Sequence, residues 1–138
     1  MKKVILFIVE GQSEEDALGS SLSRLLISSQ VSFHIVGGDI TSDRNTTLEN
    51  VVTKVHDQIK QFLDKSHFRK SDLLEVVHLV DTDGAFVDET YIKQSDVAKW
   101  HYSPDSITGS NIDQILRRNS QKSQLLNRLS SRPTIASI

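Results

Sequence analysis

With 138 residues, no cysteine and a formal net charge of −2, the chain excludes disulfide staples, cysteine nucleophiles and thiolate zinc sites. Its length is that of one ordinary domain, able to bury roughly 68% of its unfolded surface without staples. No run approaches the ~20 apolar residues of a membrane span. The short apolar run after Lys2-Lys3 stops at Glu10 with no small-residue cleavage site, so no membrane partner and a cytoplasmic location are expected.

Charge is unevenly spread. Residues 1–92 carry 9 Lys and Arg against 15 Asp and Glu, whereas residues 93–138 carry 7 against 3. An acidic body with a basic tail fits a metal site beside a phosphate-binding face; it also fits ordinary scatter of surface charge.

In chain order, Val4 to Val9 is continuously apolar, as in a strand covered on both faces. Gly11-Gln12 turns the chain, and Ser13 with Asp16 three residues on reads as a helix start. Leu18, Leu22, Leu25 and Leu26 form the stripe of that helix, which should end near Ser28-Ser29. Val31 to Val36 reads as a second strand closed by Gly37-Gly38-Asp39, and residues 39–47 as polar loop. Leu48, Val51, Val52, Val55, Ile59, Phe62 and Leu63 give the cleanest helical period, and Leu73 to Val80 a third strand. The order β-α-β-α-β predicts a three-layer, Rossmann-like α/β domain, with a parallel sheet and helices on both faces, as the core over residues 1–85 of a single domain. Residues 86–110 read as an irregular insert, in which Phe86, Val87, Tyr91 and Ile92 are expected to pack back on the core. Residues 111–138 read as a basic helical tail: Ile112, Ile115 and Leu116 start a helix, the apolar-free stretch Arg117 to Gln124 predicts its interruption, and Leu125, Leu126 and Leu129 resume it.

The chemistry concentrates where apolar runs end in acid plus glycine. The first strand ends in Val9-Glu10-Gly11, the third in Val80-Asp81-Thr82-Asp83-Gly84. In an extended backbone residues i and i+2 share a side, so a strand running through Asp83 would aim Asp81 and Asp83 into one volume. Two carboxylates that close need a cation or a proton between them. Ligands of open parallel sheets bind outside the carboxyl ends of the strands, so Glu10, Asp81 and Asp83 are the candidate ligands of a hard divalent cation, Mg²⁺ or Mn²⁺. Helix capping or loop bonding is the plainer use of such acids. Glu14, Glu15, Asp16 and Asp39 are secondary candidates for the same rim, with helix-end and loop roles equally open. In the insert, Lys99 and Trp100 could stack on and pair with nucleic acid, and in the tail Arg117, Arg118 and Lys122 could meet phosphates; core packing and a solvated helix face are the competing readings.

A glutamate ending the first strand and an Asp-x-Asp ending a later parallel strand resemble the Toprim domain, the catalytic domain of topoisomerases, bacterial primases and OLD-type nucleases. The resemblance covers residues 3–85. It implies a Toprim-like fold, Glu10 in proton transfer, Asp81 and Asp83 on Mg²⁺, and phosphodiester chemistry on DNA or RNA of nuclease type. It also implies a further strand, for which the chain offers only Pro133 to Ile138, so that strand is expected to be shortened or missing. A Toprim-like module that binds nucleotide or a protein without catalysis is the alternative. A third reading takes Asp81-Thr82-Asp83-Gly84 as resembling the first motif of haloacid-dehalogenase-like phosphatases, with Asp81 as nucleophile and Asp83 as general acid.

Overall fold

A computed structural model describes residues 3–131. The protein is α/β, and its chain divides into two compact units: one runs to Asp81 and is rejoined from Arg128, the other is Thr82–Asn127. Among the described residues no helix is long and apolar enough to cross a membrane.

The first unit contains β1 (Val4–Val9), α1 (Gln12–Leu25), β2 (Gln30–Ile35), α2 (Val51–Lys65) and β3 (Leu73–His78). The strands form a parallel sheet of order β2-β1-β3, with Phe7 opposite Phe33 on one side and Val77 on the other. The apolar run of β1 follows from this central place, because all six of its residues are buried. Val4, Leu6 and Ile8 cluster with Ile59 and Phe62 of α2, and with Phe68 and Leu73. Ile5, Phe7 and Val9 cluster with Leu22, Leu26, Val31 and Phe33, where the rings of Phe7 and Phe33 stack at 5.4 Å. Alternate residues of one strand therefore feed two separate cores, as the two-residue period requires.

Several boundaries differ from the sequence reading. α1 starts one turn-residue earlier than Ser13: Gly11 is its N-cap, and the Gly11 N–H donates to Glu14 Oε2 at 3.1 Å. The Ser13 hydroxyl donates to the same oxygen at 3.1 Å instead of capping. Leu25 lies exposed, so only Leu22 and Leu26 of the expected stripe reach the core. The loop after β2 contains a 3-10 turn, Ile40–Ser42, whose cap is Asp39. β3 ends at His78, and a last ladder bond runs from the Leu79 N–H to the Ile8 carbonyl at 2.9 Å.

The second unit is not irregular. β4 (Ile92–Gln94), β5 (His101–Ser103) and β6 (Ser106–Gly109) form a small sheet of order β4-β6-β5, and α3 (Ile112–Ser130) follows. β5 and β6 are a hairpin turning at Pro104-Asp105, with Tyr102 opposite Ile107. Strands of three or four residues are too short to show an alternating pattern, which is why the sequence reads as loop. Ile92, Ile107 and Ile115 are the buried centre of this unit, with Trp100, Ile112 and Leu116 against them. Of the four residues expected to pack back, only Ile92 is buried; Phe86, Val87 and Tyr91 are exposed.

α3 is continuous through Arg117 to Gln124, against the expected break. Its buried positions are Ile115, Asn119, Lys122, Leu125 and Leu126, at helical spacing, so two inward positions carry polar side chains that an apolar-period reading skips. Pro133 to Ile138, expected as a short last strand, lies outside the described residues.

Candidate functional site

Glu10 and Asp81 belong to the first unit and Asp83 to the second. Glu10 leaves the end of the middle strand half-buried, while Asp81 is exposed. On one flank the backbone ladder continues past β1, with the Gly37 N–H donating to the Glu10 carbonyl at 3.0 Å. On the other flank the ladder stops at Leu79, and the Glu10 side chain replaces it: the Asp81 N–H donates to Glu10 Oε1 at 3.2 Å. The hydrogen bond ties the Glu10 carboxylate to the backbone that carries the Asp81 carboxylate, at the carboxyl end of a parallel sheet.

Asp83 is placed differently from the expectation. β3 stops five residues before it, so strand alternation does not aim Asp81 and Asp83 together. Asp83 has φ +47° and Gly84 φ +75°, two successive left-handed residues in a turn closed by the Ala85 N–H on the Thr82 carbonyl at 2.8 Å. Among residues with a Cβ, Asp and Asn tolerate this conformation best. Gly84 has a second reason to be glycine, since a Cβ there would stand 2.6 Å from Ile107 Cδ1. The Asp83 carboxylate forms an ion pair through Oδ2 with Lys122 Nζ at 2.7 Å. Among the described residues no three or more His, Asp and Glu side chains group together as a metal-holding set.

The basic candidates also separate. Lys122 is 1% exposed and so is no surface phosphate contact. Arg118, one turn before it, donates through Nη1 to the Asp83 carbonyl at 2.6 Å and to Asn119 Oδ1 at 2.9 Å, and through Nη2 to the Tyr102 hydroxyl at 2.8 Å. Its guanidinium carbon stands 5.2 Å from the centroid of the half-buried Trp100 ring. Lys99 and Arg117 are exposed. The sequence reading missed the partnership of Arg118, Asn119 and Lys122 with the Asp83 turn, although the spacing of Asn119 and Lys122 from Ile115, four and seven residues, carried the signal.

The secondary acids have local work. Gln12 Nε2 donates to Glu15 Oε2 and Asp16 Oδ1, both at 3.0 Å, in the first turn of α1. Asp39 Oδ1 accepts from the Thr41 N–H at 2.8 Å and the Thr41 hydroxyl at 2.7 Å. Burial pushes His78, the last residue of β3, below the ordinary histidine range, and the charge of Asp39 pulls it partly back.

Two concavities accompany these residues. In the first unit a polar cleft of about 400 Å³ is lined by Gly37, Gly38 and Asp39 and by Lys54, Asp57 and Gln58 of α2. In the second unit a cleft of about 600 Å³ is lined by Tyr91, Tyr102, Asp88, Asp105, Pro104 and Ile107.

No family model, curated protein or solved structure matches the chain.

Proposed function

We propose that the protein is a metal-dependent phosphodiesterase of nuclease type, acting on DNA or RNA at Glu10 and Asp81, within a Toprim-like, Rossmann-like three-layer fold. The observation that carries this reading is the hydrogen bond from the Asp81 N–H to the Glu10 carboxylate at 3.2 Å, which holds two acids at one end of the parallel sheet. Carboxyl ends of parallel strands are where such sheets place their ligands.

The donor set fits Mg²⁺ or Mn²⁺. Such ions take one or two protein carboxylates and keep water and substrate oxygens for the rest of their shell. Glu10 and Asp81 would hold the ion, whose chemistry is to stabilise charge on the phosphate and to activate the attacking oxygen. Glu10, oriented by the Asp81 N–H, moves the proton. Asp81, exposed, would hold the ion from the solvent side. Lys99 and Arg117, both exposed, meet the phosphate backbone.

Incubation of the full chain with plasmid, single-stranded DNA or RNA in Mg²⁺ or Mn²⁺ tests the reading. Cleavage is expected, lost on Glu10→Gln and on Asp81→Asn, each with a loss of metal affinity. Metal at about a hundredfold excess over Kd should raise stability by about 2.7 kcal/mol. Turnover of p-nitrophenyl phosphate that survives Glu10→Gln would refute it in favour of a phosphatase.

A binding module without catalysis is favoured by one separate observation, the cleft with the half-exposed Tyr91 and Tyr102 on its wall. That reading predicts ligand binding that survives both variants, and no cleavage.

A further inference from the structure

Lys122 occupies a core-facing position of α3, seven residues after Ile115, and is 1% exposed. An ammonium taken out of water needs a counter-charge at hydrogen-bond distance, because an unpaired buried charge is far more costly than a paired one. Asp83 Oδ2 at 2.7 Å supplies it. The turn that presents this carboxylate is held at two points by one helix. Arg118 takes the Asp83 carbonyl and Lys122 the Asp83 carboxylate, from positions four residues apart and so on one helical face. Arg118 is itself fixed by the Tyr102 hydroxyl and by the face of Trp100. Asp83 is the one residue with a Cβ at positive φ among the described residues, and both of its fixed groups answer to α3.

We infer that Asp83 is the built-in counter-ion of buried Lys122, clamped by Arg118 and Lys122, and is not a metal ligand. A divalent cation brought to Asp83 would meet an ammonium that cannot retreat into solvent, and like charges at that range repel. Where this narrows the metal set to Glu10 and Asp81 it rests on the proposed function; the ion-pair role stands apart from it.

The sign of a stability change separates the two roles. Removing a charge from a metal-free cluster of carboxylates relieves repulsion and stabilises. Removing the counter-ion of a buried lysine destabilises. Asn tolerates the left-handed conformation as well as Asp does, so Asp83→Asn changes the charge without adding backbone strain. Thermal melts of the full chain in EDTA, read by Trp100 fluorescence, are run on wild type, Asp83→Asn, Lys122→Met and the double variant. Asp83→Asn should lower Tm by more than about 5 °C, Lys122→Met, which leaves a carboxylate that is 37% exposed, by less, and the double variant should recover most of the Asp83→Asn loss. Calorimetric titration with Mn²⁺ should show Asp83→Asn within about twofold of wild type and Asp81→Asn weaker by about tenfold or more. A Tm of Asp83→Asn in EDTA at or above wild type overturns the inference, as does a tenfold loss of Mn²⁺ affinity in that variant. If Asp83→Asn does not fold, recovery of folded protein in the double variant supports the pair, and equal failure of the double variant overturns it. Wild type that binds no Mn²⁺ refutes the metal reading of Glu10 and Asp81, while the EDTA melts still decide the role of Asp83.

Discussion

Gly84→Ala should be among the costliest single-methyl additions to this protein, and the cost has two separable parts. At φ +75° an added Cβ crowds the backbone, at about 1–2 kcal/mol. The same Cβ would lie 2.6 Å from Ile107 Cδ1, whereas Tyr102 Cε1 and Val87 Cγ2, both at 3.5 Å, are at ordinary contact. Forcing Ile107 aside in a packed cluster costs about 1–3 kcal/mol. Against these stands about 0.4–1 kcal/mol gained from a less flexible unfolded chain. The net expectation is a loss of about 1–5 kcal/mol. Ile107→Val removes the atom that is struck, at its own cost of about 0.5–1.5 kcal/mol. If crowding at Cδ1 is real, the double variant recovers about 1 kcal/mol or more relative to the sum of the singles. Equilibrium urea unfolding followed at Trp100 is the assay, since the chain has one tryptophan and it lies in the same unit as both sites. A cycle that closes additively would refute the crowding, and a Gly84→Ala loss under about 1 kcal/mol would refute the left-handed cost as well.

His78 is held below its ordinary range by burial, so the unfolded chain binds a proton that the folded chain refuses as pH falls below about 6.5. Stability should therefore drop on acidification from pH 7 through the unfolded histidine value and then level off below the lowered folded value; His78→Phe should flatten that step in urea midpoints measured across pH 5 to 7.5. Lys99→Gln with Arg117→Gln should weaken binding of a fluorescent oligonucleotide and reduce its salt slope by about 1–2 units, whereas an unchanged slope would place the phosphate contacts elsewhere.

The parallel sheet was readable because β1 and α2 obey simple rules: a strand buried on both faces is apolar throughout, and α2 repeats Val51, Val55, Ile59 and Phe62 along one face. The carboxylates at the strand ends were readable as Glu10 and Asp81 for the same reason, since each interrupts an apolar run. What was not readable lies after Asp81. The strands around Ile92 and Ile107, three and four residues long, are too short for an alternating pattern to stand out. The inward face of α3 at Asn119 and Lys122 is polar, and polarity reads as solvent. The place of Asp83 was not readable because β3 ends at His78, five residues before it, and Asp83 then sits in a left-handed turn with Gly84. Asp83 read as a metal ligand and Lys122 as a phosphate contact or part of a solvated face, and only their pairing accounts for a buried lysine.

The central place of β1 also fixes an order of events. Its partner β2 begins 26 residues after it, but β3 begins 69 residues after it. Chain closure costs about 0.6 kcal/mol for each doubling of the loop, so the β1–β3 contact carries about 1 kcal/mol more entropy than the β1–β2 contact. The β1–β2 pair with α1 should therefore assemble first, and the nascent two-stranded ribbon presents the bare backbone edge of Leu6-Phe7-Ile8 until the third strand arrives. Refolding yield should fall with protein concentration during that interval. Loss of packing at Val76 should slow folding less than loss at Phe33, measured as the split of each variant's destabilisation between folding and unfolding rates.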